Sequence, residues 1–348
     1  MNARKHAAVI GGSIAGLWTA RVLADHFDRV TVIDRDHFSD SAEARKGAPQ
    51  GRQLHVLLVR GQQILDQLFP GVTNELQAEG VSMIRWTDEL ASLNPNGTWV
   101  LNYPYGYATM GVSRLLLEWH MRKRLMQNPK IRFVEGRVVS GVLTNEAKTQ
   151  VTGVRMEAVG AERASVGTET LETDLVVDCS GRESHTPEWL TALGYAAPEE
   201  TVIDAHVGYT TRWYQAPPGF EAQWKAISIQ SRAGNTGRSG WIYPIEHNQW
   251  IALMVSVNVP LPDTDEAFLE FAHTLPEPNI YDALKDATPV SPLFRYQRTA
   301  NQLRRYGALE RMPDGLILIG DSVCAFNPVF GQGMSVSAME AMLLDQQL

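Results

Sequence analysis

Two carboxylates stand where aliphatic runs end, each beside a cluster of glycines. Asp321 follows Leu316, Ile317, Leu318, Ile319 and Gly320, and Pro328 then opens a turn carrying Gly331, Gln332, Gly333 and Met334. Asp34, with Arg35 after it, closes another such run 18 positions beyond Gly16, and Gly11, Gly12, Ser13, Ala15 and Gly16 make the preceding turn. A carboxylate at a strand end can accept hydrogen bonds from sugar hydroxyls. Glycine lets the backbone approach a phosphate, and a helix N-terminus offers it free N–H groups and partial positive charge. The chemistry indicated is nucleotide-type cofactor binding. No nucleophile–base pattern accompanies it.

These groups need strands and helices to hold them. "HAAVIGGSIAGLWTARVLADHFDRVTVIDRD" reads as a buried strand over 7–10, a tight turn, a helix over 14–27 and a strand over 30–33. That is a dinucleotide-binding unit written G-x-S-x-x-G, with Ser13 where the middle glycine usually stands, and Asp34 placed for the adenosine ribose. It does not separate NAD from FAD. A strand over 316–319 would join the same parallel sheet, with Asp321 at its tip facing a ribityl-like chain. The helix that follows from about Met334 would turn its positive end toward N1 and the C2 carbonyl of a reduced flavin. Carboxylate and loop together make a two-part flavin clamp, which favours FAD.

Composition narrows the rest. At 348 residues two packed domains are expected. A net charge of −8 argues against a nucleic-acid partner and gives no polybasic membrane anchor. Cys179 and Cys324 form no ligand cluster, so no metal is expected and a reduced, cytoplasmic setting is the simplest reading. No stretch is long enough for an integral membrane segment.

"GDSVCAFNPVFGQGMS" resembles the GD motif of FAD-dependent monooxygenases of the para-hydroxybenzoate hydroxylase type. With "KGAPQGRQLHVLLVRGQQILDQLFPG" and "VVDCSGRESHTPEWL" it is most similar to the bacterial epoxidase-like branch acting on polyketide polyenes. The resemblance implies that Gly11, Gly16 and Asp34 bind the ADP half of FAD, Asp321 the ribityl-pyrophosphate region, and Gly331–Gly333 the isoalloxazine edge. It also implies that Arg114 opens a helix near the FAD phosphates and that Arg52 and Gln53 border the flavin. Ser180-Gly181 departs from the family's Asp-Gly. Relatives usually continue past the helix after the GD motif, so a truncated C-terminus is expected.

The implied fold is α/β: a glutathione-reductase-like FAD-binding Rossmann domain (1–80, 108–195 and 296–348) with an inserted, mostly antiparallel β-sheet substrate domain (81–107 and 196–295). Aromatics alternate through the inserted stretches, and an Asn96-Gly97 hairpin signal lies between strand-like runs. Trp86, Tyr103, Tyr105, Trp213, Trp241 and Tyr243 are candidates for an apolar pocket, although aromatics in such sheets more often fill the core. Arg212 and Glu246 read as solvated sheet charges. His55 reads as a residue on the face of an amphipathic helix over 53–69.

The implied activity is FAD-dependent epoxidation or hydroxylation of an apolar small molecule by O2, through a flavin C4a-hydroperoxide. Electrons would come from NAD(P)H bound transiently, or from a partner reductase. Alternatives are a reductase of prenyl double bonds similar to geranylgeranyl reductases, a flavin halogenase, or a flavin-binding protein without turnover.

Overall fold

The computed structural model of the chain describes residues 6–104, 106–160, 167–231 and 237–348. Tyr105, one of the candidate pocket residues, lies outside the described residues. A five-stranded sheet runs in the order Leu316–Leu318, Leu175–Asp178, His6–Ile10, Arg29–Ile33, Ile131–Val134, and every pairing is parallel. Alternate residues of its central strands go to opposite faces. Ala7, Val9, Val30 and Val32 face a helical layer, and Ala8, Ile10 and Ile33 face a layer that includes Val142, Val154 and Met156. The latter three belong to a three-stranded antiparallel sheet over Arg137–Thr144, Val151–Ala158 and Glu169–Glu172. The parallel strands are thus covered on both sides, which is why they read as continuous apolar runs.

The helix Ile14–His26 lies on the first strand and begins straight from the glycine turn. Gly11 has φ +98°, and a Cβ on Gly16 would come within 1.8 Å of the Gly11 carbonyl oxygen. Only glycine allows that approach. No side chain caps the helix N-terminus. Leu17, Trp18 and Leu23 are fully buried beneath the helix. At about 1.5–3 kcal/mol per large buried apolar side chain, they outweigh the roughly 1 kcal/mol a cap would add. No side chain therefore occupies the N–H groups of the helix's first turn, while Gly11 and Gly12 donate theirs to the Ile33 carbonyl and to Asp34.

A second, seven-stranded sheet includes Val207–Gln215, Arg238–Ile245 and Gln249–Val257 as its long members. Its pairings are antiparallel except Ala226–Ile229 with Leu90–Leu93, which is parallel. One face carries Ile227, Ile242, Ala252 and Met254, packed against Phe268, Phe271, Ile280 and Leu284 of two short helices. Cross-strand pairing of Trp241 with Leu253, and of Leu253 with Thr211, sets the other face. It carries Tyr209, Thr211, Trp213, Trp241, Tyr243, Leu253 and Val255, and it looks toward the strand ends of the parallel sheet.

Three expectations need correction. The helix expected over 53–69 begins only at Val59. Leu54 and Val56 pack into one apolar cluster and Leu57 into another, an alternation of two that an extended chain satisfies and a helix does not. Arg212 is buried and ion-paired to Asp265 at 2.5 Å. Glu246 is buried and accepts the Ser113 N–H at 2.9 Å. Neither charge is solvated.

Candidate functional site

The tip of the Leu316–Leu318 strand carries Asp321, whose side chain remains 44% exposed. Among the described residues it accepts no hydrogen bond, and its nearest cation is Arg182 Nε at 3.8 Å. The surrounding protein pushes its pKa upward, against the pull of Arg182 and Arg114. A Cβ on Gly333 would lie 3.8 Å from Asp321 Oδ1, so the carboxylate faces the first turn of the Gly333–Gln347 helix. That N-terminus has neither a side-chain cap nor an acidic residue in its first turn. The same is true of Ile14–His26, whereas Ser113 and Thr264 cap the helices Arg114–Met126 and Asp265–His273. Two positive helix ends without side-chain caps and one carboxylate with spare acceptor capacity thus lie close together at the ends of the parallel strands, where Gly320 meets Ala15 and Asp321 faces Gly333; Val59–Leu68 is uncapped as well.

Asp34 is held differently. Its Oδ2 accepts from Gly12 N at 2.6 Å, its Oδ1 accepts from Asp36 N at 2.8 Å, and Arg45 Nη1 lies 3.4 Å away. Burial raises its pKa, opposed first by Arg45. Arg45 also pairs with Asp36 and with Glu118 and stacks on Phe38, whose ring Arg122 also meets. Glu118 is buried, yet Arg114 and Arg45 keep its pKa below the usual carboxylate range. Arg35 is exposed beside this network.

Ser13 takes part with its side chain. Its Oγ accepts from Arg114 Nη2 at 2.7 Å and donates to Glu118 Oε2 at 3.1 Å. With φ −93° it needs no glycine. The replacement of the motif's middle glycine therefore ties the turn to the Arg114–Met126 helix. His55 lies beside Arg114, its Nε2 3.2 Å from Arg114 Nη1. Burial and the neighbouring guanidinium lower its pKa to about 3, so the ring is neutral.

The second sheet closes the site from the other side. Tyr209 Oη donates to Asn327 Oδ1 at 3.0 Å, Thr211 Oγ1 to Gln53 Oε1 at 2.5 Å, and Trp213 Nε1 to the Arg52 carbonyl at 3.0 Å. Half-buried Trp241, Leu253 and Tyr296 pack with Val207, Tyr209 and Val255 in a small cluster apart from the main cores. Burial raises the pKa of Tyr296, opposed first by Arg182, with the Asp321 and Arg114 charges also felt.

Of the aromatic candidates, Trp213 and Trp241 share this face. Tyr243 lies on it too, but is buried against Ile84, Leu54 and Val56 and fills space there. Trp86 bonds Thr109 on a two-stranded ribbon away from the cluster, and Tyr103 is 55% exposed on an arm with Trp99 and Leu101. In the loop ahead of Gly333, Pro328 and Gln332 are exposed and Gly331 is half-buried, while Met334 is buried. Arg52 is exposed over the Phe294 ring. Arg45, Glu118, Arg182, Tyr209, Tyr296 and Asn327 are absent from the sequence-derived set. Arg114 and Glu118, four apart on an otherwise leucine-rich helix, are the signal that points to part of this group.

The model of the FAD binding domain family matches residues 4–348. Protein Rv3254 of Mycobacterium tuberculosis is 33% identical over 345 residues, covering 98% of this chain and 72% of that protein. Among solved structures, the flavin-dependent brominase Bmp2 is similar with TM-score 0.72 at 16% identity, over 98% of this chain and 78% of that one. The p-nitrophenol 4-monooxygenase PnpA of Pseudomonas putida DLL-E4 gives TM-score 0.67 at 17% identity, over 99% and 80%. At such identity the likeness is one of fold. The uncapped helix ends, the partly exposed Asp321 and the family match over nearly the whole length agree, and the chain belongs to the FAD binding domain family.

Proposed function

We propose that this protein is an FAD-dependent monooxygenase acting on an apolar small molecule, by epoxidation or hydroxylation. In this reading residues 1–80, 108–195 and 296–348 form the cofactor domain, and 81–107 and 196–295 the substrate sheet. Gly11, Gly12, Ser13, Ala15 and Gly16 hold the pyrophosphate with Arg114, and Asp34 and Arg35 meet the adenosine end. Gly320 and Asp321 take the ribityl chain, and the loop from Pro328 to Met334, with Arg52, borders the flavin ring. Bound FAD supplies the electrons that activate O2 for transfer of one oxygen atom to an alkene or arene. The donor in this reading is NAD(P)H or a partner reductase.

The chain's own residues do the rest. Trp241, Leu253, Tyr296 and Tyr209 present an apolar face with one polar edge, which orients a flat or elongated hydrocarbon and excludes water. The uncapped end of Gly333–Gln347 favours negative charge on the reduced cofactor. The observation that carries the reading is this apolar cluster, set on the sheet face opposite the helical core and anchored to the GD loop through Tyr209 and Asn327.

The test is product mass after turnover of the FAD-loaded protein under 18O2 with a panel of polyenes, prenyl chains and phenols. Incorporation of one labelled atom supports the proposal. Product formed without oxygen uptake would move the assignment to a reductase of double bonds.

A further inference from the structure

A continuous line of side chains joins the substrate-facing sheet to the dinucleotide turn. Gln53 is buried and spans two strands of the sheet: Oε1 accepts from Thr211 Oγ1 at 2.5 Å, and Nε2 donates to the Phe294 carbonyl at 3.1 Å. The Gln53 carbonyl lies 3.0 Å from His55 Nδ1. A carbonyl only accepts, so the imidazole proton is on Nδ1, and Nε2 is left to accept from Arg114 Nη1 at 3.2 Å. Arg114 Nη2 in turn donates to Ser13 Oγ at the head of the Ile14–His26 helix. Along the line each donor meets an acceptor, and the His55 ring has only one tautomer that fits both its neighbours.

We infer that His55 is a positioning residue through which the seating of Gln53 against the substrate sheet controls the aim of Arg114 at the cofactor turn. The inference rests on the reading of this site as an FAD site. Arg114 is buried with Glu118 Oε2 3.4 Å from its Nε, and without the imidazole acceptor the guanidinium would turn further toward that carboxylate. The neutral imidazole acceptor holds Nη1, which leaves Nη2 directed at Ser13. The hydroxyl that replaces the motif's usual glycine is the receiving end of the same device. Sheet and turn are joined here by hydrogen bonds with fixed donor and acceptor roles, so movement of one end alters the other.

Coupling is what must be measured, and a double-mutant cycle on FAD affinity measures it. Thr211→Val removes the hydroxyl that donates to Gln53 and lies at the far end from the turn. It is expected to weaken FAD binding about threefold in the wild-type background and to have no effect beside His55→Ala. His55→Gln, whose amide oxygen can still accept from Arg114, is expected to restore the Thr211→Val effect. Independent, multiplicative effects of Thr211→Val and His55→Ala would overturn the inference. Wild-type protein that binds no FAD would overturn it together with the reading beneath it, and is recognised because every variant then behaves alike. Nitrogen NMR of the FAD-free protein gives a second readout. A neutral His55 protonated on Nδ1 supports the line, and the opposite tautomer or a charged ring breaks it.

Discussion

Replacing Asp321 by Ala separates a cofactor role from a structural one. Among the described residues this carboxylate accepts no hydrogen bond, and its ion pair with Arg182 is long at 3.8 Å, so its loss removes little that the fold uses. Its raised pKa says that the surroundings disfavour its charge. Stability of the FAD-free protein is therefore expected to stay within about 0.5 kcal/mol of wild type. Bound FAD would place hydroxyls on the open oxygens. Two charge-assisted hydrogen bonds at about 1.5 kcal/mol each give about 3 kcal/mol, or roughly a hundredfold in dissociation constant. Flavin fluorescence quenching on titration of the FAD-free protein reads the affinity, and urea unfolding of the same preparation reads the stability. Unchanged FAD affinity refutes the ribityl role. A loss of stability equal to the loss of affinity refutes the claim that the residue is held in reserve for the cofactor.

Gly16→Ala should cost about 1–3 kcal/mol in unfolding free energy and displace FAD, because its Cβ would meet the Gly11 carbonyl at 1.8 Å; wild-type stability and flavin content would contradict the geometry. Glu246→Ala strips the acceptor from the Ser113 N–H, and leaving that buried donor unpaired should cost about 1–3 kcal/mol by urea denaturation. His55 gives a pH signature. Its folded pKa near 3 lies below the ordinary 6.5, so between those values the unfolded chain binds more protons. Its contribution is fully present above pH 6.5 and is lost as pH falls, with a slope approaching about 1.4 kcal/mol per unit. Unfolding free energies of His55→Gln should therefore fall less steeply than wild type between pH 6 and 4, and parallel curves would contradict the neutral ring.

What could be read from the sequence is what is local in the chain. The Gly11–Gly16 turn, Asp34 and the Leu316–Asp321 strand end carry their meaning within a few residues; the structure sets the first two on adjacent parallel strands and the third in the same sheet, one strand beyond His6–Ile10 across Leu175–Asp178. The mostly antiparallel second sheet was legible from its alternating aromatics. Which face those aromatics occupy was not, because facing is fixed by register between strands distant in sequence, such as Thr211 with Leu253. The segment before Val59 misled because its apolar residues are shared between two clusters. Arg212 and Glu246 misled because their partners, Asp265 and Ser113, are remote in sequence. Arg182 stood two residues beyond Ser180, yet nothing in its neighbours indicated that Asp321 would lie beside it.

The central claim is that this site, loaded with FAD, activates oxygen. Rapid mixing of the reduced, FAD-loaded protein with oxygenated buffer, followed by flavin absorbance, tests that claim most directly. A transient spectrum distinct from both reduced and oxidised flavin is expected before oxidised flavin appears. A single-step return to oxidised flavin, unchanged when polyenes or phenols are present, would contradict it.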